Sequence, residues 1–94
     1  MWFSSTQVSG KGRGKLLGFP TINLEIPENF DMKEGIYAVK VFTGSKEFPG
    51  AMHFGPIPTF KENEKTLEVF LIDVSDADIP ETKTFEIETI QYLR

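Results

Sequence analysis

The segment Gly10-Lys11-Gly12-Arg13-Gly14-Lys15 sets three glycines and three cations side by side in a chain whose formal charge is −4. Alternating glycines let the backbone take positive φ and turn its N–H groups inward as an anion nest, and interleaved cations add attraction for phosphate. The familiar helix-based templates do not fit. A P-loop needs glycine where Lys15 stands, and the dinucleotide fingerprint meets Lys15 from Gly10 and Leu17 from Gly12. Pro20 and an alternating strand follow instead of a helix, so a nucleotide site here would rest on a strand–loop–strand frame. A soluble surface loop has the same composition.

Two further groups extend that chemistry. Thr21 and Asn23 lie two apart on a strand and so share a face, and both offer the hard oxygen ligands that Mg²⁺ accepts beside phosphate oxygens and water. A Thr and an Asn on a strand's solvent face are also commonplace. Glu68 opens the most apolar segment of the chain and falls on the same face as Phe70 and Ile72. It is either a carboxylate held for acid–base work or the wet end of a strand. His53, the only histidine, has no role suggested by its neighbours and reads as structural.

The elements that must position these groups are strands. Ile22, Leu24 and Ile26 alternate with polar residues, as do Phe85 and Ile87, giving strands with one wet face. Segments 36–42 and 67–74 are apolar on both faces and rich in β-branched residues, which suits strands packed on two sides. Weaker strands are expected over 2–8 and 47–54, the latter as an edge or with a bulge because Pro49-Gly50 interrupts it. Thr43-Gly44-Ser45-Lys46 is short enough for a hairpin turn, and any helix is a turn or two around 29–34.

The fold class is therefore all-β. Six strands in 94 residues would leave two exposed edges in an open sheet, and a closed antiparallel barrel removes them. A chain this short buries roughly 60–65% of its unfolded surface, so residues 1–94 are expected to form a single domain. Without cysteine there are no disulfides, thiolate metal sites or cysteine nucleophiles. No apolar stretch approaches the roughly 20 residues that span a bilayer, so a cytoplasmic protein with no membrane partner is expected. Net negative charge argues against a nucleic-acid partner, although Lys11, Arg13, Lys15 and nine phenylalanines keep a single-strand-binding barrel as a competing idea.

Four ordered motifs together resemble the riboflavin kinases, whose kinase domain is a six-stranded antiparallel barrel. Gly10–Gly18 with Phe19-Pro20-Thr21-Ile22-Asn23 resembles the family's glycine-rich loop and its Pro-Thr-Ala-Asn. Gly35-Ile36-Tyr37-Ala38, Phe54-Gly55-Pro56-Ile57-Pro58-Thr59-Phe60 and Leu67-Glu68-Val69-Phe70-Leu71-Ile72-Asp73 resemble its Gly-Val/Ile-Tyr start, its Ile-Gly-x-x-Pro-Thr-Phe loop and its Val-Glu-x-His-Leu-Leu-Asp strand. Tyr92-Leu93-Arg94 resembles the Leu-Arg ending the last barrel strand.

The resemblance implies phosphorylation of the riboflavin 5′-hydroxyl by ATP to give FMN and ADP, with Mg²⁺ as cofactor. It implies Glu68 as catalytic base, Thr21 and Asn23 as metal ligands, and Gly10, Gly12, Arg13, Lys15 and Thr21 at the nucleotide. Ile22 departs from the family's alanine, Phe70 from a common histidine, and Asp78-Ile79-Pro80-Glu81 from an Asp-Leu-Tyr-Gly turn. The family's C-terminal segment, which helps form the flavin pocket, does not follow Arg94, and no adenylyltransferase domain precedes Met1, so FMN adenylylation is not expected. The alternative is a catalytically impaired kinase-like barrel that only binds nucleotide or flavin. Oligomeric state is not legible.

Overall fold

The computed structural model describes residues 1–8, 21–56, 65–73 and 84–94. They form six strands: β1 (Trp2–Thr6), β2 (Thr21–Leu24), β3 (Gly35–Thr43), β4 (Lys46–Pro56), β5 (Lys65–Leu71) and β6 (Thr84–Tyr92). All pairings are antiparallel, in the order β1-β6-β3-β4-β5-β2. The outer strands β1 and β2 meet in one antiparallel bridge, Gln7 to Leu24. Beside it Val8 N–H donates to Asn23 O at 2.8 Å and Glu25 N–H to Thr6 O at 2.9 Å. In place of the continuous ladder of a closed barrel, the sheet curls into a half-barrel whose edges touch along this short seam.

The period-two pattern decides what lies inside. Ile22, Val69, Met52 and Tyr37 are consecutive cross-strand partners, as are Leu24, Leu67 and Phe54, and all are buried. Phe48, Val41 and Ile87 make a further row, and Phe85 completes the apolar interior. Burying such side chains contributes roughly 1.5–3 kcal/mol each, which is the main force curling the sheet. One end is stoppered by Phe30, whose ring meets Phe3 and Phe54 edge-on at 5.0 and 4.9 Å.

Several expectations hold in detail and two do not. β3 and β4 join through the Gly44-Ser45 turn, with Thr43 opposite Lys46 and Gly44 at φ 58°. The short helix near 29–34 does not form: a turn lies there, with Asn29 at φ 60°, a left-handed conformation that breaks helical propagation. Nor is the Pro49 strand an edge, since β4 runs between β3 and β5. Pro49 is accommodated because its carbonyl accepts from Ile72 N–H at 3.1 Å, beyond the last β5 ladder residue, Leu71. Proline's missing donor therefore faces the place where the neighbouring strand has ended.

Gly35 opens β3 under the last residues of the chain. Ile36 N–H donates to Arg94 O at 2.6 Å and Leu93 N–H to Ile36 O at 2.7 Å. A Cβ on Gly35, at φ 152°, would stand 2.5 Å from Arg94 O and 2.6 Å from the Tyr92 ring. Gly35→Ala is expected to destabilise the fold by about 2 kcal/mol through strain and overpacking, read as a lowered urea midpoint. An unchanged midpoint would show that this latch does not matter. Tyr37 lies beside it, donating to Lys33 O at 2.5 Å; burial, then Tyr92, raises its phenol above the ordinary value and keeps it a donor.

Candidate active site

Glu68 sits in the middle of β5, between Leu67 and Val69, whose side chains point into the apolar interior. Alternation therefore directs its carboxylate to the opposite, outer face of the sheet. It is nonetheless only 2% exposed, which removes the reading of a strand's wet end. Thr66, two residues earlier on the same face, donates its hydroxyl to Glu68 Oε2 at 3.4 Å. Glutamates are almost never so buried unless they are partnered, and a carboxylate withdrawn from water is a frequent mark of a functional site.

The register brings the other candidates to it. Asn23 on β2 is the direct cross-strand partner of Glu68, and Thr21 stands opposite Phe70. Thr21 and Asn23 are both half-buried and flank Ile22, which turns the other way and is 3% exposed in the core. Isoleucine thus replaces the family's alanine on the interior side, and its bulk does not intrude between the two oxygen-bearing side chains. On the far side of Glu68, His53 of β4 is its direct partner. The outer face reads Asn23, Glu68, His53, Ile36 along one row of the sheet and Thr21, Phe70, Ala51, Ala38 along the next.

His53 is the residue that the sequence left aside. Its outward position was implicit in its setting, since Met52 and Phe54 on either side are core residues, but its neighbour across the sheet is fixed only by the β4–β5 register. Gly10, Gly12, Arg13 and Lys15 lie outside the described residues, as does the Ile57–Phe60 part of the third motif. Among the described residues no three His, Cys, Asp or Glu gather into a metal cage. Thr21 and Asn23 offer neutral oxygens on this face, donors of the kind that Mg²⁺ accepts beside phosphate and water.

The whole chain, residues 1–94, matches the family model described as Flavokinase: Riboflavin kinase. It is 37% identical over 73 residues to a bifunctional riboflavin kinase/FMN adenylyltransferase of Escherichia coli K12, covering 77% of this chain and 23% of that protein. It is 39% identical over 71 residues to an RNA-binding riboflavin kinase of Bacillus subtilis, covering 74% of this chain and 30% of that protein. The chain belongs to the flavokinase family. It spans less than a third of the length of these curated relatives.

Among solved structures, one titled a macrolide-efflux protein from Streptococcus pneumoniae superposes with a TM-score of 0.78 at 23% identity, over 99% of this chain and 30% of that one. That likeness shows the fold alone. The RNA-binding relative also corrects one inference from composition: a charge of −4 does not by itself set a flavokinase apart from nucleic acid. Among the described residues no helix is long and apolar enough to cross a membrane.

Proposed function

We propose that residues 1–94 act as one riboflavin kinase domain, located in the cytoplasm, that transfers the γ-phosphoryl group of ATP to the 5′-hydroxyl of riboflavin, giving FMN and ADP. The observation that carries this reading is the buried Glu68 on the outer face, in direct register with Asn23 and two positions from the row of Thr21. Family membership supports ATP and riboflavin as the substrates.

Each residue then has a task that follows from its chemistry. Glu68 takes the proton of the attacking hydroxyl as the new P–O bond forms and the bond to ADP breaks, a contribution of roughly 10²–10⁴-fold. Gly10 and Gly12 supply backbone donors to the phosphates, and Arg13 and Lys15 supply charge, which suits a reaction governed by positioning and neutralisation. Thr21 and Asn23 would hold Mg²⁺ on the nucleotide, with Thr21 also close to its phosphates. Bound there, Mg²⁺ offsets the negative charge of the transferring group.

The direct test is formation of FMN by the purified chain from riboflavin, ATP and Mg²⁺, followed chromatographically. Quenching of riboflavin fluorescence without FMN would overturn the enzyme reading in favour of a barrel that only binds. Asn23→Leu is expected to raise the half-saturating Mg²⁺ concentration about tenfold, the equivalent of losing an oxygen contact worth about 1.4 kcal/mol. Unchanged Mg²⁺ dependence would remove Asn23 from the metal site.

A further inference from the structure

We infer that His53 is a positioning residue for Glu68, its imidazole holding the buried carboxylate in the orientation from which it accepts the hydroxyl proton. This rests on the riboflavin kinase reading above for its consequence in turnover, but the pairing itself comes from the sheet. His53 and Glu68 are direct partners across the β4–β5 ladder. Directly opposed residues of an antiparallel pair have Cβ atoms roughly 4.5–5.5 Å apart, a span that an imidazole N–H and a carboxylate together can bridge. Both face away from the core, because Met52 and Phe54 flank one, and Leu67 and Val69 the other, as interior residues.

Burial gives the contact its value. Glu68 is 2% exposed and His53 half-buried, so a hydrogen bond between them is less screened than one at an open surface. Among the described residues, the imidazole is a donor placed directly across the β4–β5 ladder from the carboxylate. Around Glu68 on the outer face stand Asn23 across β2, Thr66 and Phe70 along β5, and Gly55 and Ala51 along β4. Thr66 donates a bond of 3.4 Å, too long to fix a carboxylate alone.

Around His53, β3 presents Ile36, and β4 itself presents Ala51 and Gly55. Among the described residues, Glu34, just before β3, and Lys65 of β5 neutralise one another in an ion pair of 2.8 Å. Among the described residues, Glu68 is the ionisable group directly across from the imidazole. Glu68 thus has Asn23 on one side along the row and His53 on the other.

The test pairs spectroscopy with kinetics. His53 is the only histidine, so its ring signals in NMR need no assignment among rivals. An ionised Glu68 beside it should raise the imidazole pKa, and Glu68→Gln should lower it by about one unit. In FMN formation, His53→Leu should reduce kcat about tenfold with the KM for ATP little changed, and His53→Gln, which keeps a donor, should recover most of the loss.

An imidazole pKa indifferent to Glu68→Gln overturns the pairing whatever the activity. Equal kcat losses in His53→Leu and His53→Gln, or a change confined to KM, overturn the positioning role. A parent chain that shows the coupling yet makes no FMN overturns the kinase reading and supports the pairing, so the two failures are distinct.

Discussion

Replacing Glu68 by glutamine is expected to lower the rate of FMN formation by about 10²–10⁴-fold while the chain remains folded. Glutamine keeps the shape of the side chain and its place on β5 between Leu67 and Val69, so the apolar interior is undisturbed. What it removes is the ability to take a proton. ATP binding should change little, because the phosphate-holding groups of the proposal are residues 10–15 and β2 rather than β5. The measurement is single-turnover FMN formation beside a circular dichroism spectrum and a thermal melt. Activity within threefold of the parent, with an intact fold, would mean that Glu68 is not the base.

Met52→Ala carries the largest expected effect on stability. Met52 is fully buried at the centre of β4, opposite Val69 on one side and Tyr37 on the other. Truncation removes its burial and leaves a cavity that neighbouring strands cannot collapse to fill, costing about 2–5 kcal/mol. In a domain of this size total stability is only about 5–15 kcal/mol, so the thermal midpoint should fall on the order of 10–30 °C. His53, the next residue on the strand, should lose its alignment before global unfolding is reached. A midpoint within a few degrees of the parent would show that the core re-packs and that its centre lies elsewhere.

The strands were legible because burial writes its period directly into the sequence. Ile22 and Leu24 alternate with Thr21 and Asn23, and the structure sends the first pair inward and leaves the second outside. The β3–β4 hairpin was legible from Gly44 and the shortness of its connection. Pro49 misled because a local rule, that proline belongs on an edge, depends on where a neighbouring strand ends, and that is a tertiary fact.

The site followed the same division. Thr21 and Asn23 share a face by spacing alone, but no spacing says that Glu68 stands beside Asn23, or that His53 stands on its other side. Register across the sheet supplies both. The depth of Glu68 was equally hidden, since one-dimensional pattern cannot distinguish a covered outer face from a wet one.

Strand β1 pairs with β6, from Trp2 against Glu88 to Thr6 against Thr84, and Thr89 N–H reaches back to Met1 O at 2.9 Å. The first and last strands are thus laced together across nearly the full length of the sequence. Such distant partners give the fold a high contact order, and loop-closure entropy must be met before this ladder contributes anything. The β3–β4 hairpin can form early from neighbouring residues, whereas β1 has no ladder partner until residues 84–92 have left the ribosome. During synthesis, at roughly 5–20 residues per second, β1 would wait several seconds for that partner.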